Sequence, residues 1–249
     1  SPYEASDWRT LGRDLQEQII NMTKTTLRRA LSNIDIDVES QTAPNMRGVN
    51  MPGANLSGKE LNNANFSEAN LEGANLSGAS LSNVRLREAN LNGANLSGAQ
   101  LTNANLIEAR LRGANLSGAQ LTNARLAEAD LSQAVLEAAD LLNADLREST
   151  LNGASLQGAN LQNANLGEAS LRNANLSGAD ITRASFAEAD LTGAILPDGT
   201  QYETGRDITE FGGSMRKSST GSARVRIEID GIDDSKPKND DDPPPSPIV

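Results

Sequence analysis

The chain has 249 residues, 33 of them acidic and 22 basic, for a net charge of −11, and it contains no Cys and no His. Missing Cys rules out disulfides and thiolate chemistry, missing His removes the usual zinc and haem ligands, and no segment is basic enough for ordinary phosphate-backbone binding. With three Phe, two Tyr and one Trp, the core must be filled by Leu and Ala rather than by aromatic volume.

In chain order, residues 1–43 come first, with a net charge of −2. The stretch "SDWRTLGRDLQEQIINMTKTTLRRALS" predicts a helix, with Ser6 or Asp7 as N-cap. Its apolar face is Trp8, Leu11, Leu15, Ile19, Met22 and Leu27 or Leu31. That face can cap a neighbouring domain, self-associate or lie on a membrane surface, and its balanced charge favours the first two. "NIDIDVES" (33–40) alternates like a short lead-in strand. No apolar run reaches the ~18 residues that a membrane-spanning helix needs. The expected location is a bacterial-type cytoplasm, and an export signal removed before Ser1 would leave no trace in this sequence.

The sequence then changes character. Residues 93–112 read "GANLSGAQLTNANLIEARLR", and from Gly113 the chain repeats "GANLSGAQLTNARL" with one difference, Asn105 against Arg125. Beneath this lies a period of five. From Met46 to Leu196, thirty-one consecutive fifth residues are Leu, Met, Ile or Phe, with no insertion. Two residues before each centre stands Ala, except at Pro44, Val49, Lys59, Val84 and Ser149. Neither the ~3.6 residues of a helical turn nor the 2 of a strand gives this period. Lys59 takes an inward position, and its stem is expected to lie along the core with its ammonium group reaching water.

These A-[N/D]-L-x-x units over about residues 44–198 resemble the pentapeptide-repeat family. The resemblance implies an all-β solenoid, a right-handed quadrilateral β-helix of seven to eight coils. In it, four units make one square coil, and the centre and Ala side chains point inward. Residues twenty apart then stack, and the columns are distinct. Glu68, Glu88, Glu108, Glu128, Glu148, Glu168 and Glu188 form one. Asn63, Asn83, Asn103, Asn123, Asn143 and Asn163 form a second, and Gly58, Gly78, Gly98, Gly118, Gly158 and Gly178 a third. Gly and Asn suit corners that need unusual backbone angles. A solenoid coil buries its apolar side only by stacking, so both ends need caps.

At the far end, Pro197 and Gly199 break the repeat. Residues 199–232 are expected to form a C-terminal cap, with Tyr202 and Phe211 covering the last rung. "ARVRIEID" (223–230) alternates as a strand, and residues 233–249, rich in Pro and Asp, are expected to be disordered.

Functional readings follow from the columns. The seven stacked Glu are the candidate partner-binding surface. Neighbours about 4.8 Å apart repel by somewhat under ~1 kcal/mol in water. Arg87 and Arg147, adjacent to Glu88 and Glu148 in sequence, are expected to relieve part of this, as are Arg85 and Arg125. The competing reading is a solvated face copied coil by coil. The family resemblance also implies DNA mimicry, since the family includes quinolone-resistance proteins that bind DNA gyrase as duplex look-alikes. Against it, duplex DNA carries a charge about every ~1.7 Å, whereas this repeat region has a net charge of only −6. Its centres also include just two Phe, Phe66 and Phe186. N-x-[S/T] motifs such as Asn55, Asn75, Asn95 and Asn115 are written by the repeat itself. An ice- or glycan-binding face would need denser Thr than Thr102, Thr122 and Thr182 supply. No nucleophile elbow, P-loop or dinucleotide fingerprint occurs, so no enzyme and no cofactor are expected. The sequence reads as a non-enzymatic scaffold for a protein partner, with inhibition of a topoisomerase as the alternative. Direct nucleic-acid binding is not expected. A homodimer is compatible with an end cap or the 223–230 strand.

Overall fold

The computed structural model describes residue 43 and residues 45–214. The expected N-terminal helix, the 33–40 and 223–230 strands and the acidic tail lie outside the described residues.

Each five-residue unit performs the same three operations. Its centre and the preceding Ala turn inward; Leu96, Leu116, Ala94 and Ala114 are fully buried. The residue before the centre makes a parallel bridge to its counterpart twenty residues on, as in Asn55↔Asn75, Asn75↔Asn95 and Asn95↔Asn115. The two residues after the centre turn the chain. The Ala94 N–H closes this turn on the Leu91 carbonyl at 3.0 Å. The second turn residue has positive φ in every unit from Met46 to Leu191, from 53° at Ala138 to 72° at Gly193. Only a type II turn combines negative φ at its second residue with positive φ at its third.

Between coils, the Leu96 N–H donates to the Asn115 carbonyl at 2.7 Å, and the Asn115 N–H to the Ala94 carbonyl at 2.9 Å. Such bridges continue without a gap from Asn45 to Ile195. Four turns per twenty residues give four faces. Face one is centred on Met46, Phe66 and so on to Phe186, and face two on Met51 through Leu191. Face three is centred on Leu56 through Leu196, and face four on Leu61 through Ile181. This positive-φ residue is mainly Glu at the corner after face one, Gly after faces two and three, and Asn after face four.

The core is a stack of Leu and Ala rungs, with Phe66 and Phe186 among the largest fully buried side chains. Ser149 takes an Ala position at 1% exposure and donates its hydroxyl to the Leu146 carbonyl at 2.6 Å. Lys59 is half-buried at its inward position. Amide ladders run outside: Asn103 donates to Asn83 and Asn123 to Asn103, each at 3.2 Å.

At the C-terminal end, Gln201 pairs antiparallel with Ile195, and the chain then loops out through a 3₁₀ turn, Thr209–Phe211. Ser214 returns to pair in parallel with Ser185 on face one. The plug is Ile208, 1% exposed, while Tyr202 and Phe211, the rings expected to cover the last rung, are only partly buried against the core. Gly213 is needed for close approach: a Cβ there would meet Ile181 at 3.1 Å and Ile208 at 3.3 Å. Arg206 ties the loop together, bonding Asp198 at 3.0 Å and Glu210 at 2.8 Å while lying over the Phe211 ring.

Candidate partner-binding face

The seven Glu of face one all occupy the second, positive-φ turn position, with φ between 57° and 61°. They share the left-handed backbone of the Gly and Asn columns without sharing those residues' tolerance for it. A non-Gly residue pays about 1–2 kcal/mol there, with relief for Asn, whose side chain bonds locally. The sequence showed the column; the same register places it at strained corners.

Arginines divide the column. Arg47 pairs with Glu68 at 2.6 Å, and Arg87 with Glu88 at 2.9 Å and Glu108 at 2.5 Å. Glu88 and then Glu108 push the Arg87 guanidinium above its ordinary value. Arg147 relieves the column less directly: Asp145 and, more weakly, Glu148 raise its guanidinium above its ordinary value. It grips Asp145 with two hydrogen bonds of 2.8 Å and makes no hydrogen bond to Glu148. The reason is local: residues just before and just after a centre project from the same face, and the residue before the centre is an acid at Asp145 but a base at Arg85, which leaves Arg87 to the Glu corner. The Arg147 contact holds the Asp145 carboxyl below its ordinary value. Glu128, Glu148, Glu168 and Glu188 have no ion pair among the described residues. Neither Arg85 nor Arg125, expected to relieve the column, forms one there either.

Shape follows the same division. The row after each face-one centre reads Arg47, Ser67, Arg87, Ile107, Ala127, Arg147, Gly167, Ala187. Where it turns small, the face sinks into an open depression of about 510 Å³ bounded by Arg147, Glu148, Glu168, Glu188 and Ser214. Charge is graded along the chain. Residues 85–125 hold five Arg against Glu88 and Glu108, net +3, whereas residues 126–198 hold eleven acids against three Arg, net −8. The acidic half of face one is thus a row of exposed carboxylates beside a shallow basin, able to accept Lys or Arg side chains. Among the described residues no acidic group is arranged to hold a metal ion, and no helix is long and apolar enough to cross a membrane.

The family comparison agrees with this geometry. A family model described as pentapeptide repeats matches with eight copies across residues 45–83, 79–118, 114–153 and 154–196. Among solved structures, the chain is similar to HetL, a pentapeptide repeat protein involved in heterocyst differentiation regulation from the cyanobacterium Nostoc sp. strain PCC 7120. Identity is 36% over 64% of this chain and 83% of that one, with a TM-score of 0.29. It is also similar to QnrB1, a plasmid-mediated fluoroquinolone resistance protein, at 19% identity over 70% of this chain and 84% of that one, TM-score 0.45. A pentapeptide repeat protein of the Arabidopsis thaliana thylakoid lumen is 31% identical over 50% of this chain and 88% of its own, TM-score 0.28. No curated protein matches. From its repeat, its twenty-residue bridging and the family match over residues 45–196, the chain belongs to the pentapeptide-repeat family, whose fold is the right-handed quadrilateral β-helix.

Proposed function

We propose that this solenoid, of seven to eight coils, is a non-enzymatic interaction module, and that the acidic half of face one docks a basic surface of a protein partner. The observation that carries the reading is the set Glu128, Glu148, Glu168 and Glu188: carboxylates without ion pairs among the described residues, at positive φ, the last three of them lining a basin. A face copied without consequence would drift toward Gly or Asn at these corners, because those residues cost less there. Gyrase inhibition by DNA mimicry is the narrower alternative. The net +3 of residues 85–125 weighs against it, because a duplex look-alike needs negative charge along its whole length.

The test is fluorescence anisotropy with an Arg-rich decapeptide, on the parent and on a variant with Gln at positions 128, 148, 168 and 188. Binding that weakens several-fold between ~50 and ~200 mM salt and vanishes in the variant is the expected result. Equal binding by both proteins would remove the acidic half of face one from the mechanism. A parallel supercoiling titration separates the alternative: gyrase inhibited by the parent and spared by the variant would favour mimicry.

A further inference from the structure

Face one is complementary to itself. In the row after each centre, over the six coils from Arg85 to Glu188, large residues stand at Arg87, Ile107 and Arg147 and small ones at Ala127, Gly167 and Ala187. Two copies laid face to face with opposed axes, related by a two-fold between the coils of Arg125 and Asp145, bring these rows together. Arg87 then lies over Ala187, Ile107 over Gly167, and Arg147 over Ala127, so each large side chain meets a small one. In the row before each centre the same operation sets Arg125 against Asp145. Like charges meet at the Glu corner: Glu88 and Glu108 each bring Arg87 as a partner, whereas Glu128 meets Glu148 with no ion pair of its own among the described residues.

We propose that face one is a self-docking surface and that its occupant is a second copy of this chain, packed antiparallel with Ile107 in the basin floored by Gly167. This deepens the preceding reading and rests on it: the second copy supplies the basic groups that the acidic half accepts. An isologous contact of this kind closes on itself and stops at a dimer. Six rungs about 4.8 Å apart give a strip roughly 29 Å long on one face of the coil. Such a strip falls in the weak, transient class, below about 1,200 Å² in total, so association is expected only at high protein concentration.

Sedimentation velocity of the full chain between ~5 and ~500 μM tests the proposal. The parent should pass from monomer to dimer. G167R, which fills the basin from the solvent side where φ is not positive, should weaken dimerisation at least tenfold. R125D alone and D145R alone should each do the same. A one-to-one mixture of R125D and D145R should dimerise again, because both copies of the 125–145 contact regain opposite charges. Circular dichroism melts check that each variant folds. A parent that stays monomeric at ~500 μM, a dimer indifferent to all three substitutions, or no rescue in the mixture would overturn the proposal. The decapeptide assay reads the docking function separately: peptide binding by a monomeric parent would sink self-docking and leave the acidic docking surface standing.

Discussion

Replacing Glu128, Glu148 and Glu168 together with Gly should make the protein more stable, although three side chains are lost. All three sit at φ of 57–60° and form no ion pair among the described residues. Releasing each from the left-handed region gains about 1–2 kcal/mol, and the added freedom of Gly in the unfolded chain takes back roughly 0.4–1 kcal/mol. Four neighbouring carboxylate contacts, from Glu108 to Glu188, also disappear, each worth somewhat under ~1 kcal/mol before salt screening. The sum is about 2–4 kcal/mol, or a melting temperature higher by roughly 5–12 °C for a domain of this size. Thermal melting by circular dichroism at low and moderate salt measures it, and the part due to repulsion should shrink as salt rises. Asn at the same positions should move stability in the same direction by less. The converse substitution, Gly118→Ala, meets nothing within 4 Å and has φ of +64°, so its cost isolates the backbone contribution, about 1 kcal/mol. An unchanged or lower melting temperature in the triple variant would refute the strain argument and, with it, the main reason for reading the column as retained for a purpose.

Three further outcomes are expected. Ile208→Ala should open the C-terminal cap, costing about 2–5 kcal/mol locally, and hydrogen exchange should show lost protection around Ile181 and Phe186 while the Leu96 coil stays protected. Ser149→Ala should be neutral or slightly stabilising in chemical denaturation, because the Leu146 carbonyl keeps its bond from the residue 149 N–H and every neighbouring coil carries Ala there. Asp198 is held at about 2, first by the Thr200 hydroxyl and N–H and further by Arg206. Its folded pKa lies below the ordinary 3.8, so the stability it lends is complete above that value and is lost as pH falls toward 2. Melts at pH 5 and pH 2.5 should therefore differ less for D198N than for the parent.

The repeat itself was legible because one rule, an apolar centre every fifth residue, sets the backbone turn, the rung and the register together. The spacing of twenty gave the columns, and the Gly and Asn columns gave two corners. The Glu corner carries no such mark, since Glu has no preference for positive φ; only its register with Gly58 and Asn63 shows it. Arg147 gives its hydrogen bonds to Asp145 and meets Glu148 only through charge attraction, because an acid stands two residues before it where Arg87 has Arg85. Ile208 was missed because the period ends at Leu196, and without a period nothing in the sequence separates a plug from a loop residue. The basin was equally hidden, since it arises where Gly167 and Ala187 fall in a row whose earlier members are larger.

The unbroken register from Asn45 to Ile195 has an evolutionary consequence. Position along this chain acts as an angular address. Inserting or deleting twenty residues restores every address and changes only the length, whereas removing a single pentapeptide leaves the Leu rungs intact and rotates everything downstream by a quarter turn. The Glu column would then continue on a different corner, and its two halves would no longer face one partner. Selection on a face can therefore tolerate gain or loss of whole coils while rejecting a five-residue deletion that the core would accept.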